Sequence, residues 1–180
     1  MQVIPSPLSG LFVIKPKVFE DARGYFYESY NKEVFHKHGI VDEFLQDNQS
    51  LSQKGVLRGL HFQNPSHAQS KLVRAITGSV LDVALDIRKK SPTYGKHYTE
   101  VLSAENKTML FVPEGFAHGF LVLEDNTIFS YKCSRVYNKE SEDAILWCDD
   151  DININWGIKN PVISEKDRVA KRFRDFISKF

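Results

Sequence analysis

Along most of the chain, short β-type runs rich in apolar and aromatic residues are broken by polar turn residues. The runs are LFVIKPKVF, GYFYESY, VLRGLHFQ, KLVRAIT, SVLDVALDI, YTEVLS, KTMLFVP, HGFLVLE, TIFSYKCSRVY and AILWC. Gly55, Gly78, Gly95, Pro113-Glu114-Gly115 and Asp125-Asn126 punctuate them. Many short strands at this spacing predict an all-β sandwich or jelly roll, not alternating βαβ units. Two segments carry a helical pattern instead. Asn31 caps a short helix near residues 32–38 that closes at Gly39. Near the C-terminus Ser164 is a cap, and Val169, Phe173, Phe176, Ile177 and Phe180 recur at helical spacing, predicting a helix over about 165–179. No repeat or linker interrupts the pattern, so one domain over residues 1–180 is expected.

Composition narrows the partners. The 180 residues are 42% hydrophobic and 26% charged, an ordinary globular balance. With 24 basic and 23 acidic residues the net charge is +1, so no broad basic field awaits nucleic acid or an anionic membrane. A small anionic ligand remains compatible, held by a few local cations. MQVIPSPLSG lacks the pattern of a secretory signal, and no apolar run has the length of a membrane span. Cys133 and Cys148 are the only cysteines, each in a strand-like run, which suits a reducing cytoplasm better than a disulfide framework.

Several side chains carry candidate chemistry, each with a structural alternative. In RGLHFQ, a regular strand puts His61 on the face of Leu57, Gly59 and Gln63, with Arg58 on the other. For both to serve one site the strand must bulge, most cheaply at Gly59; otherwise they are a half-buried histidine and a surface arginine. Lys71 shares a face with Val73 and Ala75, and is either an edge lysine or a cation at the mouth of an apolar cavity. In the second case Asp82 or Asp86 is its expected partner. Tyr131 lies on the mostly apolar face of Thr127, Phe129 and Cys133, as a core tyrosine or a proton donor aimed into a cavity. Asp167, three residues after Ser164, either reaches back to that cap or orients a histidine; locally the capping arrangement has the better pattern. A metal site fits poorly. The P-x-G-x-x-H turn ending at His118 is intact, but the H-x-H position reads His61-Phe62-Gln63 and no Glu lies between Gln63 and Glu100.

In order along the chain, FEDARGYF (Phe19 to Phe26), QDNQS (Gln46 to Ser50), VLRGLHFQ, KLVR, DVALDIRKKSPTYGK, VPEGFAHGF, SYKCSRVY and SEKD together resemble the dTDP-4-dehydrorhamnose 3,5-epimerase family. The resemblance covers nearly the whole chain. It implies a cupin-type jelly roll without metal or organic cofactor, acting on a dTDP-linked sugar as a homodimer that exchanges strands. It implies inversion at C3 and C5 of dTDP-4-dehydro-6-deoxy-D-glucose, with His61 as base, Asp167 as its orienting partner, Tyr131 as acid and Lys71 stabilising the enolate. It further matches Arg58 and His118 to ligand-binding positions. Arg23, Glu28, Gln46, Asp47, Asn48, Glu142 and Lys166 match positions that contact the nucleotide sugar or shape its pocket, Arg23 often from the neighbouring subunit. One departure is the loop Cys148 to Gly157, where the family's usual prolines are absent and only Trp156 survives, which puts the rigidity of that loop in question. The rival readings are an epimerase of one centre or of another nucleotide's keto sugar, a metal-dependent cupin, and a sugar-nucleotide sensor.

Overall fold

A computed structural model describes all residues, 1–180. Thirteen strands form in chain order: β1 (Gln2–Pro5), β2 (Phe12–Lys15), β3 (Val18–Asp21), β4 (Gly24–Tyr27), β5 (Gln46–Ser52), β6 (Leu57–Gln63), β7 (Lys71–Thr77), β8 (Ser79–Asp86), β9 (His97–Ser103), β10 (Met109–Val112), β11 (Phe116–Val122), β12 (Thr127–Cys133) and β13 (Glu142–Ala144). Helix α1 (Lys32–Lys37) follows β4, and α2 (Glu165–Arg168) follows β13. One sheet has the order β1-β2-β10-β7-β12-β5 and the other β13-β6-β11-β8-β9; every pairing is antiparallel. From β5 onward successive strands alternate between the sheets, apart from the paired neighbours β8 and β9, giving the expected jelly roll. β3 and β4 form a separate hairpin.

Three apolar layers explain the sequence pattern. Leu11, Val73, Val80, Ala84, Leu110, Phe116, Phe120 and Phe129 fill the space between the sheets. Leu57, Leu60, Phe62, Val83, Leu85 and Leu121 form a second layer on the outer face of the five-stranded sheet, covered by Ile145, Ile152, Trp156 and Phe176. Ile14, Leu72, Met109 and Phe111 form a third on the outer face of the six-stranded sheet, covered by Phe35 and Ile40 at α1. β8 is therefore shielded on both faces, which is why its apolar residues fall on both, with only Ser79, Asp82 and Asp86 polar.

α1 forms where the sequence placed it, with Asn31 Oδ1 accepting from the Glu33 and Val34 N–H groups. The C-terminal helix does not extend as expected. Only α2 and a 3-10 turn at Phe173–Asp175 are helical, and Val169 and Ile177, members of the expected stripe, are 78% and 81% exposed. Tertiary bonds take the backbone instead: Lys171 O accepts from Leu146 N–H, Phe173 N–H bonds Asp149 Oδ2, and Phe180 O accepts from Lys89 N–H. This extended tail spreads its aromatic rings over separate places, Phe173 on Tyr94 and both Phe176 and Phe180 on Phe62. Cys133 is in β12 as expected, whereas Cys148 falls in a turn beyond β13 and is exposed. In the proline-free loop, Asp149 O accepts from Ile152 and Asn153 N–H and Trp156 Nε1 donates to Trp147 O, so hydrogen bonds hold the turn.

Candidate active site

Between the two sheets, at one end of the barrel, lie two adjoining cavities of 310 and 220 Å³ that share His61, Lys71 and Tyr131. The first is also lined by Gln46, Asn48, Gln63, Gln69, Tyr137 and Glu142. The more enclosed second one is lined by Ser50, Arg58, His118 and Phe120. A larger 500 Å³ pocket under the Trp147–Lys159 loop contains none of these groups.

β6 supplies Arg58 and His61 to one cavity by the bulge that its sequence allows. His118 and Phe120 of β11 pair with His61 and Arg58, so Gly59 and Leu60 stand opposite Gly119 alone. Gly59 has φ +139°, and a Cβ there would lie 2.5 Å from the Gly119 Cα. The extra residue turns Leu60 outward into the second apolar layer and leaves Arg58 and His61 both facing in.

Asp167 settles between its two roles in favour of His61. Its carboxylate lies 2.5 Å from His61 Nε2, while Ser164 Oγ caps α2 by accepting from the Asp167 N–H. Burial raises the Asp167 pKa, but the His61 and Ser164 bonds and the Gly59 N–H outweigh it and hold the carboxyl below its ordinary value. A carboxylate accepts only, so Nε2 carries the proton and Nδ1 is left with the lone pair. The His61 side chain is 31% exposed against 3% for Asp167, so the imidazole faces the cavity from an anchored base.

Lys71 does not pair with Asp82 or Asp86. Asp82 is fully buried and bonds His118 Nε2 at 2.9 Å, whereas Asp86 takes Arg88, Ser91 and Thr93 and ties down the loop after β8. Lys71 forms no ion pair, and burial pushes its ammonium below the ordinary lysine value against the opposing fields of Cys133, Asp82 and Glu142. Tyr131 faces inward, with its ring 6.3 Å from that of Phe129. Burial raises its phenol above the ordinary value, Cys133 and Glu142 add to this, and Arg58 opposes it. His61 and Arg58 thus stand on the five-stranded wall, with Lys71 and Tyr131 facing them from the other sheet.

The remaining expected residues divide. Gln46 and Asn48 line the first cavity, joined by a Gln46 Nε2 to Asn48 Oδ1 bond. Glu142 is at its rim, held below its ordinary value, since bonds from Lys166 and Tyr137 outweigh the effect of burial. Asp47 turns to the opposite face of β5, where it pairs with Lys132. Arg23, at the tip of the β3–β4 hairpin and 90% exposed, bonds Asp21 and lies outside both cavities. Glu28 is exposed and accepts from Asn31. Tyr137 was not singled out from the sequence. Regular alternation ends with β12 at Cys133, so nothing in the pattern shows its 53% exposed ring at the cavity mouth. Gln63 and His67 serve the fold: Gln63 bonds His67 O and Asn138 N–H, and His67 Nδ1 bonds Ser141.

Comparison with known proteins identifies the family. The family profile described as dTDP-4-dehydrorhamnose 3,5-epimerase matches residues 5–175. A dTDP-4-dehydrorhamnose 3,5-epimerase of Shigella flexneri is 52% identical over 176 residues, covering 97% of both chains. The crystal structure of that enzyme from Elizabethkingia anophelis superposes with a TM-score of 0.93 at 50% identity over 97% of both chains. A Legionella pneumophila dTDP-6-deoxy-D-glucose-3,5-epimerase in complex with dTDP-4-keto-L-rhamnose gives 0.92 at 45% identity, over 96% of this chain and 93% of that one. A two-sheet jelly roll with His61, Lys71 and Tyr131 facing one cavity, and these full-length matches, have one conclusion: the chain belongs to the dTDP-4-dehydrorhamnose 3,5-epimerase family of carbohydrate epimerases.

Proposed function

We propose that His61 and Tyr131 exchange protons with opposite faces of a dTDP-4-dehydro-6-deoxy-D-glucose ring, giving dTDP-4-dehydro-L-rhamnose. The observation that carries this is their placement on facing sheets across one cavity, with Asp167 fixing the His61 tautomer. The C4 ketone acidifies the C–H bonds at C3 and C5. His61 Nδ1 removes one of these protons, forming an enolate, while Asp167 stabilises the imidazolium. Lys71 lines the same cavity and stabilises the enolate oxygen, a contribution that grows in a cavity shielded from water. Tyr131, kept protonated by burial, donates to the opposite face and inverts the centre. A phenol of ordinary pKa ~10 is a weak acid toward most groups but a competent one toward a carbanion. The steps use side chains alone.

Arg58 and His118 bind within the inner cavity and Gln46, Asn48 and Glu142 around the outer one, with Lys166 acting through its ion pair to Glu142. Asp47, Arg23 and Glu28 serve a site completed by a second subunit, whose hairpin brings its own arginine. Supporting this are the exposed Phe19, Tyr25 and Phe26 on the hairpin and the distance of Arg23 from its own cavity. We place this single 1–180 domain in the cytoplasm, consistent with its two unpaired cysteines.

Incubating the protein with dTDP-4-dehydro-6-deoxy-D-glucose in D₂O tests the reaction. The expected product carries deuterium at C3 and C5; deuterium at one carbon only would replace the assignment with a single-centre epimerase.

A further inference from the structure

β5 alternates regularly, turning Gln46, Asn48, Ser50 and Ser52 inward and Asp47, Gln49 and Leu51 outward. Three of the four inward side chains are bonded within the protein. Gln46 bonds Asn48 and the Tyr137 N–H, Asn48 donates to Cys133 Sγ, and Ser52 Oγ accepts from Arg58. Ser50 differs. Its Oγ is buried and bonds nothing, although the residue lines the inner cavity beside Arg58, His61, Lys71, His118 and Tyr131.

Buried hydroxyls without a partner are few in native proteins, and each needs a reason. Phe129 stands opposite Ser50 on β12 and offers no polar side chain. Arg58 and Lys71 only donate, so neither gives the Ser50 proton an acceptor. The two cations favour an oxygen-rich, electron-rich group in the same cavity. The Ser50 hydroxyl is thus free to bond a ligand held in the inner cavity.

We propose that Ser50 is a sugar-binding residue, its hydroxyl bonding an oxygen on the ring of the 4-keto sugar. This rests on the epimerase reading above. It assigns the sugar to the inner cavity and the nucleotide to the outer one, so Ser50 contributes to recognition of the sugar and not of dTDP.

The test is Ser50→Ala, measuring kcat and KM with dTDP-4-dehydro-6-deoxy-D-glucose, the affinity for dTDP alone and the Tm. A lost substrate bond lowers kcat/KM roughly tenfold. Affinity for dTDP stays within about twofold and the Tm is unchanged or higher, because no internal hydrogen bond disappears. Unchanged kcat/KM overturns the proposal. So does a fall in Tm accompanied by weaker dTDP binding, which marks a structural role. Turnover by the wild-type protein separates the two levels: its absence refutes the epimerase reading itself, whereas normal wild-type turnover with an equally active Ser50→Ala refutes only the role of Ser50.

Discussion

In the proposed mechanism each side chain has a distinct signature on removal. His61→Asn removes the proposed base and should lower kcat by about 10²–10⁴-fold, the usual contribution of general acid–base catalysis, with dTDP affinity retained by calorimetry. Tyr131→Phe keeps the base and the cation. It should still exchange substrate protons with solvent while completed inversion, followed by NMR, is blocked; full epimerase activity would show that another group is the acid. Asp167 links the site to stability. Its folded-state pKa is lowered, so its ionised form stabilises the fold above the unfolded carboxyl pKa, and that contribution is lost as pH falls through the folded value. The stability difference between the wild type and Asp167→Asn should therefore shrink below about pH 4, as read by denaturant titration across pH. Lys71 has the opposite sign. A cation with no ion-pair partner and a lowered pKa opposes folding at neutral pH. Lys71→Met should be neutral or stabilising by ~1 kcal/mol in thermal unfolding while abolishing turnover.

At the scale of elements, the β6 bulge and the C-terminal tail show what a sequence discloses. The pattern sets Asp82 and Asp86 among apolar residues and Tyr131 on an apolar face without deciding where they point; the structure turns all three inward, because a buried sheet face enforces a period of two. The bulge was legible only as a condition, since Arg58 and His61 can share a site if Gly59 breaks the alternation. Whether it does depends on Gly119 of β11, a contact distant in sequence. The tail departs from its pattern: Phe173, Phe176 and Phe180 have helical spacing, yet Phe173 N–H bonds the Asp149 carboxylate, Lys171 O accepts from Leu146 and Phe180 O from Lys89, partners that local pattern does not reveal. The same holds for Asp82, which only the fold pairs with His118. Gly59→Ala meets both positive φ and the Gly119 backbone, and should cost at least ~2 kcal/mol in chemical denaturation and displace Arg58 and His61.

For the whole molecule, two β-walls bring distant segments to one cavity: Arg58 and His61, Lys71, His118, Tyr131, and finally Asp167 from α2. The helical and extended segments outside the barrel lock this arrangement, so Phe176, 8% exposed against Phe62, belongs to the active fold though it is far from the cavity in sequence. The β3–β4 hairpin carries Arg23 away from that cavity and exposes 70% of Phe26. If a second subunit covers it, Phe26→Asp should shift the protein to monomer in size-exclusion chromatography and raise KM. The central claim, that a keto-sugar ring is held between a base on one sheet and an acid on the other, is tested most directly by a crystal structure with a dTDP-linked 4-keto sugar or its product. The account predicts the ring between His61 Nδ1 and the Tyr131 hydroxyl, with its C4 oxygen toward Lys71; a ring bound outside that gap, or with both residues on one face, would contradict it.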